Sequence, residues 1–205
     1  MKKVLVPTYK FTELSEEAKA KVRQEYSDFL MESGIALQDV RELYQTRLSE
    51  LGYPVDQIYW SLNYCQGDGM AFYGPLYTET LVKLRDRLMP GEGRSLPVTF
   101  FEEYVTMSIS DFNTHYNHYN SMHLDIDLYR DISAKRQKAL DKFYGLILDD
   151  IKNTSKELEA EGYQILEGFQ DEEYLNEALA DRDEDYFENG RVFDYEYETC
   201  LECIA

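Results

Sequence analysis

The hydrophobic period of this chain switches from helical to strand spacing at Pro54, and beyond it strands dominate, interrupted by one short helix, until a long helix begins past Tyr129. That pattern constrains the fold more than any single motif. Before Pro54 the apolar residues recur at helical intervals. Ala18, Val22, Tyr26, Phe29 and Leu30 fall on one face, and Leu37, Val40, Tyr44, Leu48 and Leu51 on another. Ser15 is placed to cap the first helix, with Leu14 as a staple and Glu16 and Glu17 complementing the dipole in the first turn. Gly34 ends it, and a second helix follows from about Ala36 to Leu51, stopped by Gly52.

After Pro54, Ile58, Trp60, Leu62 and Tyr64 alternate with Tyr59, Ser61, Asn63 and Cys65, the spacing of a half-buried strand. Gln66-Gly67-Asp68-Gly69 reads as a turn, because Asp-Gly is a strong hairpin signal, and Met70 to Tyr73 as the returning strand. A short helix is expected over Thr78 to Met89, then a loop at Pro90-Gly91-Glu92-Gly93. Two more strands are expected, Tyr104 to Ser110 and Met122 to Tyr129, joined by a polar, Asn-rich loop. Ser133 caps a long helix to about Glu161, striped by Leu140, Phe143, Leu146, Ile147 and Ile151. A last helix begins at Asp171, and Asn189-Gly190 turns into a final strand, Arg191 to Tyr197. Helices around an antiparallel sheet make an α+β fold. The expected organisation is a core domain over 1–162 and an acidic helix and strand segment over 163–205.

Charge is unevenly spread along this fold. From Glu157 onward 17 Asp and Glu face only Arg182 and Arg191, a net of −15 out of −19 for the whole chain. Such a field repels nucleic acid and anionic membrane and speeds encounter with basic surfaces, above all the Lys/Arg-lined grooves that bind nucleic acid. Disorder does not fit, since 18 Tyr and 10 Phe supply the apolar surface that disordered chains lack. The three cysteines, Cys65, Cys200 and Cys203, form no even framework, and Cys200 and Cys203 lack the second pair of a zinc or redox motif. The opening from Met1 to Phe11 lacks the apolar run of a signal peptide, and no stretch approaches the roughly 20 apolar residues of a membrane span. A cytoplasmic protein with reduced thiols is expected.

Three segments carry a resemblance. They are the opening Leu14-Ser15-Glu16-Glu17-Ala18-Lys19, the hairpin Ile58-Tyr59-Trp60-Ser61 to Gln66-Gly67-Asp68-Gly69-Met70-Ala71-Phe72-Tyr73-Gly74, and the late Asp171-Glu172-Glu173 to Asn189-Gly190. They resemble a group of small acidic, largely uncharacterised bacteriophage and mobile-element proteins, some described as antitoxin-like. The resemblance implies a phage or mobile-element origin and the cytoplasm of a bacterial host. It implies no catalytic residues.

Two constellations are candidates for chemistry. His115, His118 and His123 are all the histidines of the chain, and Asp125 and Asp127 follow, with His123, Asp125 and Asp127 expected on one strand face. Imidazole and carboxylate ligate zinc, manganese or iron, so these five are the candidate metal ligands; the competing reading is a polar, hydrogen-bonding loop beside a solvent-facing strand. The second constellation is Asp181, Asp183, Glu184, Asp185 and Glu188, continued by Asp194, Glu196 and Glu198. On a folded scaffold such carboxylates approximate the phosphate spacing of a duplex, about one charge per 1.7 Å of axis. They serve equally to keep a protein soluble.

No nucleophile elbow, dinucleotide fingerprint or His-Glu-x-x-His pair occurs. The expectation is therefore a non-enzymatic, phage-type protein without a cofactor that binds a basic, nucleic-acid-binding host defence protein by imitating DNA or RNA. The alternatives are a metal-dependent enzyme or regulator built on the histidine cluster, and an antitoxin-like binder of a basic toxin. The single apolar stripe of the long helix is compatible with packing within one chain or across a homodimer.

Overall fold

The computed structural model describes residues 6–111 and 116–194. In order, the described elements are α1 (Glu16–Glu32), α2 (Ile35–Leu51), β1 (Gln57–Ser61), β2 (Gly69–Leu76), α3 (Thr78–Leu88), α4 (Val98–Glu103), β3 (Val105–Asp111), β4 (Met122–Leu128), α5 (Ala134–Gly168) and α6 (Glu172–Ala180). The strands form one antiparallel sheet in the order β1-β2-β3-β4, so the fold is α+β. Among the described residues no helix is long and apolar enough to cross a membrane. The chain divides into two compact units, residues 1–39 with 165–205 and residues 40–164.

The first unit holds α1, the start of α2, the end of α5 and α6. Ser15 Oγ accepts from the Ala18 amide at 3.3 Å and Asp171 from the Tyr174 amide at 2.9 Å, so both helix starts use the caps expected of them. Phe11, Leu14, Ala18, Val22, Leu179 and Tyr186 make the core, and Tyr186 bridges to both Tyr9 and Val192. Gly190 has φ +83°, and a Cβ there would lie 2.9 Å from the Ala18 carbonyl oxygen, so the Asn189-Gly190 turn needs glycine twice over. The expected stripes are incomplete here: Phe29 is 53% and Leu37 45% exposed. Of the expected final strand, the described residues contain only the bridge at Val192, and 195–197 lie outside them.

In the second unit one face of the sheet is packed along its length, and in β2 the other face is buried as well, at Ala71 and Tyr73. Trp60, Met70, Phe72, Leu76, Met107 and Ile109 alternate onto the first of these faces, where α2 meets it through Tyr44 against Trp60, ring centroids 5.5 Å apart, and α5 through Ser155, which donates to the Met70 carbonyl. Phe143, Ile147 and Ile151 are the buried stripe of α5. Several features differ from expectation, and β2, expected to end at Tyr73, runs on through Gly74 and Pro75 to Leu76. The six-residue helix α4 follows Pro97 in a stretch too short to show a period. The long helix, expected to end at about Glu161, runs on to Gly168; within it Gly162 serves packing, because a Cβ there would collide with the Tyr44 hydroxyl.

Candidate functional site

The Gln66–Gly69 turn is built around one carboxylate. Asp68 is 6% exposed and accepts from Ser61 Oγ at 2.9 Å, the Asn63 amide at 2.7 Å, the Cys65 amide at 2.9 Å, the Cys65 thiol at 3.3 Å and the Tyr163 hydroxyl. Burial alone would raise this carboxyl, but donation from Tyr163, Cys65 and Ser61 outweighs it and holds the group well below the usual carboxylate range. Wrapping both amides onto Asp68 ends β1 at Ser61 rather than Cys65, and places Tyr64 at φ +55° with its ring 4.7 Å from that of Tyr163. The lone pairs of Asp68 are occupied by the protein itself. The turn is structural, as its chemistry suggests.

Among the described residues the histidines do not assemble into a ligand set. His115 lies outside the described residues. His118 Nδ1 accepts from the Asn120 amide at 3.2 Å, within its own loop, while His123 Nε2 sits 3.4 Å from Asp125 Oδ1. His123, Asp125 and Asp127 do share one face of β4, opposite Ser110, Ser108 and Thr106 of β3. Same-face neighbours on a strand are about 7 Å apart, which strings ligands out rather than converging them. Among the described residues no group of three or more His, Cys, Asp or Glu is placed to hold a metal ion.

In the acidic segment several charges are compensated internally. Lys10 Nζ pairs with Asp183 at 2.8 Å and Asp185 at 3.1 Å, and donation to these two carboxylates raises the lysine above its ordinary range. Arg182 pairs with Glu184, which also accepts from the Tyr186 hydroxyl at 2.9 Å; the arginine, more than the tyrosine, lowers the Glu184 carboxyl. Asp181, Glu188 and Asp194 are exposed, and Glu196 and Glu198 lie outside the described residues. Part of the charge that looks available in the sequence is thus spent on closing the first unit.

A different acidic surface lies on the outer face of the sheet. Residues opposite one another across an antiparallel pair share a face. The pairs Pro75 with Ser108 and Ser108 with Asp125 therefore carry the outer face across β2, β3 and β4. Two depressions of about 370 and 640 Å³ that share Pro75 and Ser108 make one trough along it. Glu102, Asp111, Asp125 and Asp127 supply its charge, and Thr106, Ser108 and Ser110 a row of hydroxyls. Exposed Tyr59, Tyr77 and Tyr129 stand along it. No lysine or arginine is among the described residues that line it, and the four strands contain none.

No family model, curated protein or solved structure matches the chain.

The trough mixes carboxylates, hydroxyls and tyrosines with apolar side chains such as Leu76, Leu81 and Met107, and its charged and aromatic groups are of the kinds that bind cations. Carboxylates bind guanidinium and ammonium groups through charge-assisted hydrogen bonds, and tyrosine faces attract the same cations. Asp125 and Asp127 of this surface figure in the sequence as candidate metal ligands, and the acidic segment as the candidate partner surface; the sheet face is a second acidic surface. A signal was present: between Arg94 and Arg130 there is no Lys or Arg, while Glu102, Glu103, Asp111, Asp125 and Asp127 fall in that stretch.

Proposed function

We propose that this chain is a non-enzymatic acidic binding protein that occupies the Lys/Arg-lined nucleic-acid groove of a partner and thereby blocks it. The observation that carries this reading is the base-free trough, in which Glu102, Asp125 and Asp127 face outward beside tyrosines and hydroxyls. Nucleic-acid grooves offer arginine and lysine at phosphate spacing, and a surface of carboxylates presents the matching charge. The net charge of −19 disfavours nucleic acid itself and anionic membranes as ligands. The resemblance to phage and mobile-element proteins supplies the setting, a bacterial host cytoplasm in which the partner is a nucleic-acid-binding defence protein.

Displacement of labelled duplex DNA or guide RNA from a panel of host restriction and RNA-guided nucleases, followed by fluorescence anisotropy, tests the reading. The wild-type chain is expected to displace the nucleic acid. The Glu102→Gln/Asp125→Asn/Asp127→Asn variant, with an unchanged circular dichroism spectrum, is expected to be weaker by about ten-fold or more, whereas Asp181→Asn/Glu188→Gln changes affinity by less than about three-fold. Loss with the second variant and not the first would move the site to the acidic segment and overturn the assignment to the sheet.

A further inference from the structure

The trough ends at a strand that is paired on one side only among the described residues, and the two features together suggest how a partner would attach. Among the described strands β4 is paired on one side only, with β3. Natural edge strands are commonly blunted by lysine, proline or a covering helix. Met122–Leu128 contains neither residue, and Leu128 at its end is 43% exposed. Beside this edge, on the inner side of the sheet, runs a groove of about 470 Å³ lined by Ile126, Leu128, Leu140 and Tyr144 with Gln137 and Asp141. One edge thus separates an acidic outer surface from an apolar inner groove.

We propose that β4 is a site of strand addition, and that its occupant is an extended segment of the basic partner in which Lys or Arg alternates with aliphatic residues. An added strand projects successive side chains to opposite faces of the sheet. One set then lies over Asp125 and Asp127, and the other enters the groove between Ile126, Leu128, Leu140 and Tyr144. Charge complementarity selects basic residues for the first set, and the apolar lining selects aliphatic ones for the second. A second copy of this chain is a poorer occupant: antiparallel self-pairing centred on Asp125, Ile126 or Asp127 sets carboxylate opposite carboxylate, which is destabilising. This inference rests on the basic-partner reading and adds to it the backbone geometry and the sequence pattern of the ligand.

Labelled synthetic peptides of alternating Lys/Arg and Val, titrated into the full chain, provide the test. The parent peptide is expected to bind at least about ten-fold more tightly than a scrambled peptide of equal composition. Two N-methylated forms decide the mode, one methylated at every Val amide and the other at every Lys/Arg amide. In an added strand only one set of amides faces β4, so one form is expected to lose about ten-fold or more in affinity while the other binds like the parent. Leu128→Lys is expected to weaken the parent by a similar factor. Equal binding of both methylated forms, or no preference over the scrambled peptide, would overturn strand addition while leaving the nucleic-acid displacement result standing. A dimer in sedimentation that Leu128→Lys dissociates would also overturn it, by giving the edge to a second copy.

Discussion

Asp68 shows how one side chain sets the geometry of a whole hairpin end. Its carboxylate takes two backbone amides that would otherwise be unpaired as β1 leaves the sheet, together with hydroxyls from Ser61 and Tyr163. Asp68→Asn replaces one acceptor oxygen with a donor facing donors, and is expected to cost about 1.5–3 kcal/mol in urea unfolding. The pH dependence follows from the direction of the shift. A carboxyl lowered in the folded state contributes stability that is fully present above its unfolded value, about 3.9, and is lost as pH falls through the lower folded value. The gap between wild type and Asp68→Asn should therefore be flat above about pH 4 and shrink below it; a gap that widens in acid would contradict the assignment. Tyr44 is the opposite case, a hydroxyl buried with no hydrogen-bond partner among the described residues. Its removal in Tyr44→Phe is expected to leave the melting temperature unchanged or raise it, because an unsatisfied buried hydroxyl carries a desolvation penalty of about 1–3 kcal/mol. The sequence made the turn at Asp68 legible through Asp-Gly, but not the donor Tyr163, which lies 95 positions away.

At the scale of elements, what the sequence displays is period, and what it hides is proximity. The buried stripes Val40, Tyr44, Leu48 and Phe143, Ile147, Ile151 follow from helical spacing alone. The long helix reads as ending near Glu161, yet α5 continues through Gly162, where the α2 side chain Tyr44 packs in the place a Cβ would take. β1 reads as running to Cys65, yet the Asn63 and Cys65 amides turn to Asp68 instead of the ladder. Helix α4 has too few residues to display a period at all. The packing at Gly162 makes a coupled prediction. Gly162→Ala should gain about 1 kcal/mol of helix propensity, yet destabilise overall by about 1–3 kcal/mol through the clash with the Tyr44 hydroxyl. In a Tyr44→Phe background the nearest clashing atom is gone while Leu62 Cδ1 remains 2.8 Å away, so the cost should fall in part. A double-mutant cycle in urea measures the coupling, and additive effects would show that the two side chains do not meet.

For the molecule as a whole, the charge ledger read from the sequence and the one read from the structure differ in where they are useful. Sequence counting locates the acids after Glu157, but Lys10 reaches Asp183 and Asp185 from the other end of the chain, a pairing that linear order cannot reveal. The strands of the sheet, by contrast, carry few acids, one histidine and no lysine or arginine, so their field is set as much by missing lysines as by present aspartates. These two surfaces should act differently in kinetics. Acids that the partner does not touch contribute to the long-range field that steers encounter, and that field is screened as the Debye length shrinks from about 10 Å at 0.1 M salt to about 3 Å at 1 M. Carboxylates in direct contact with partner cations govern how long the complex lasts. Stopped-flow or surface-based kinetics with a basic, nucleic-acid-binding partner should therefore give an association rate that falls about ten-fold or more between 0.05 and 0.5 M salt, with a much smaller change in dissociation. Asp181→Asn/Glu188→Gln should lower association alone and flatten its salt slope. Asp125→Asn/Asp127→Asn should raise dissociation. If both pairs affected only association, no carboxylate of the sheet would be in contact with the partner, and charge would serve this protein purely as a long-range attractor.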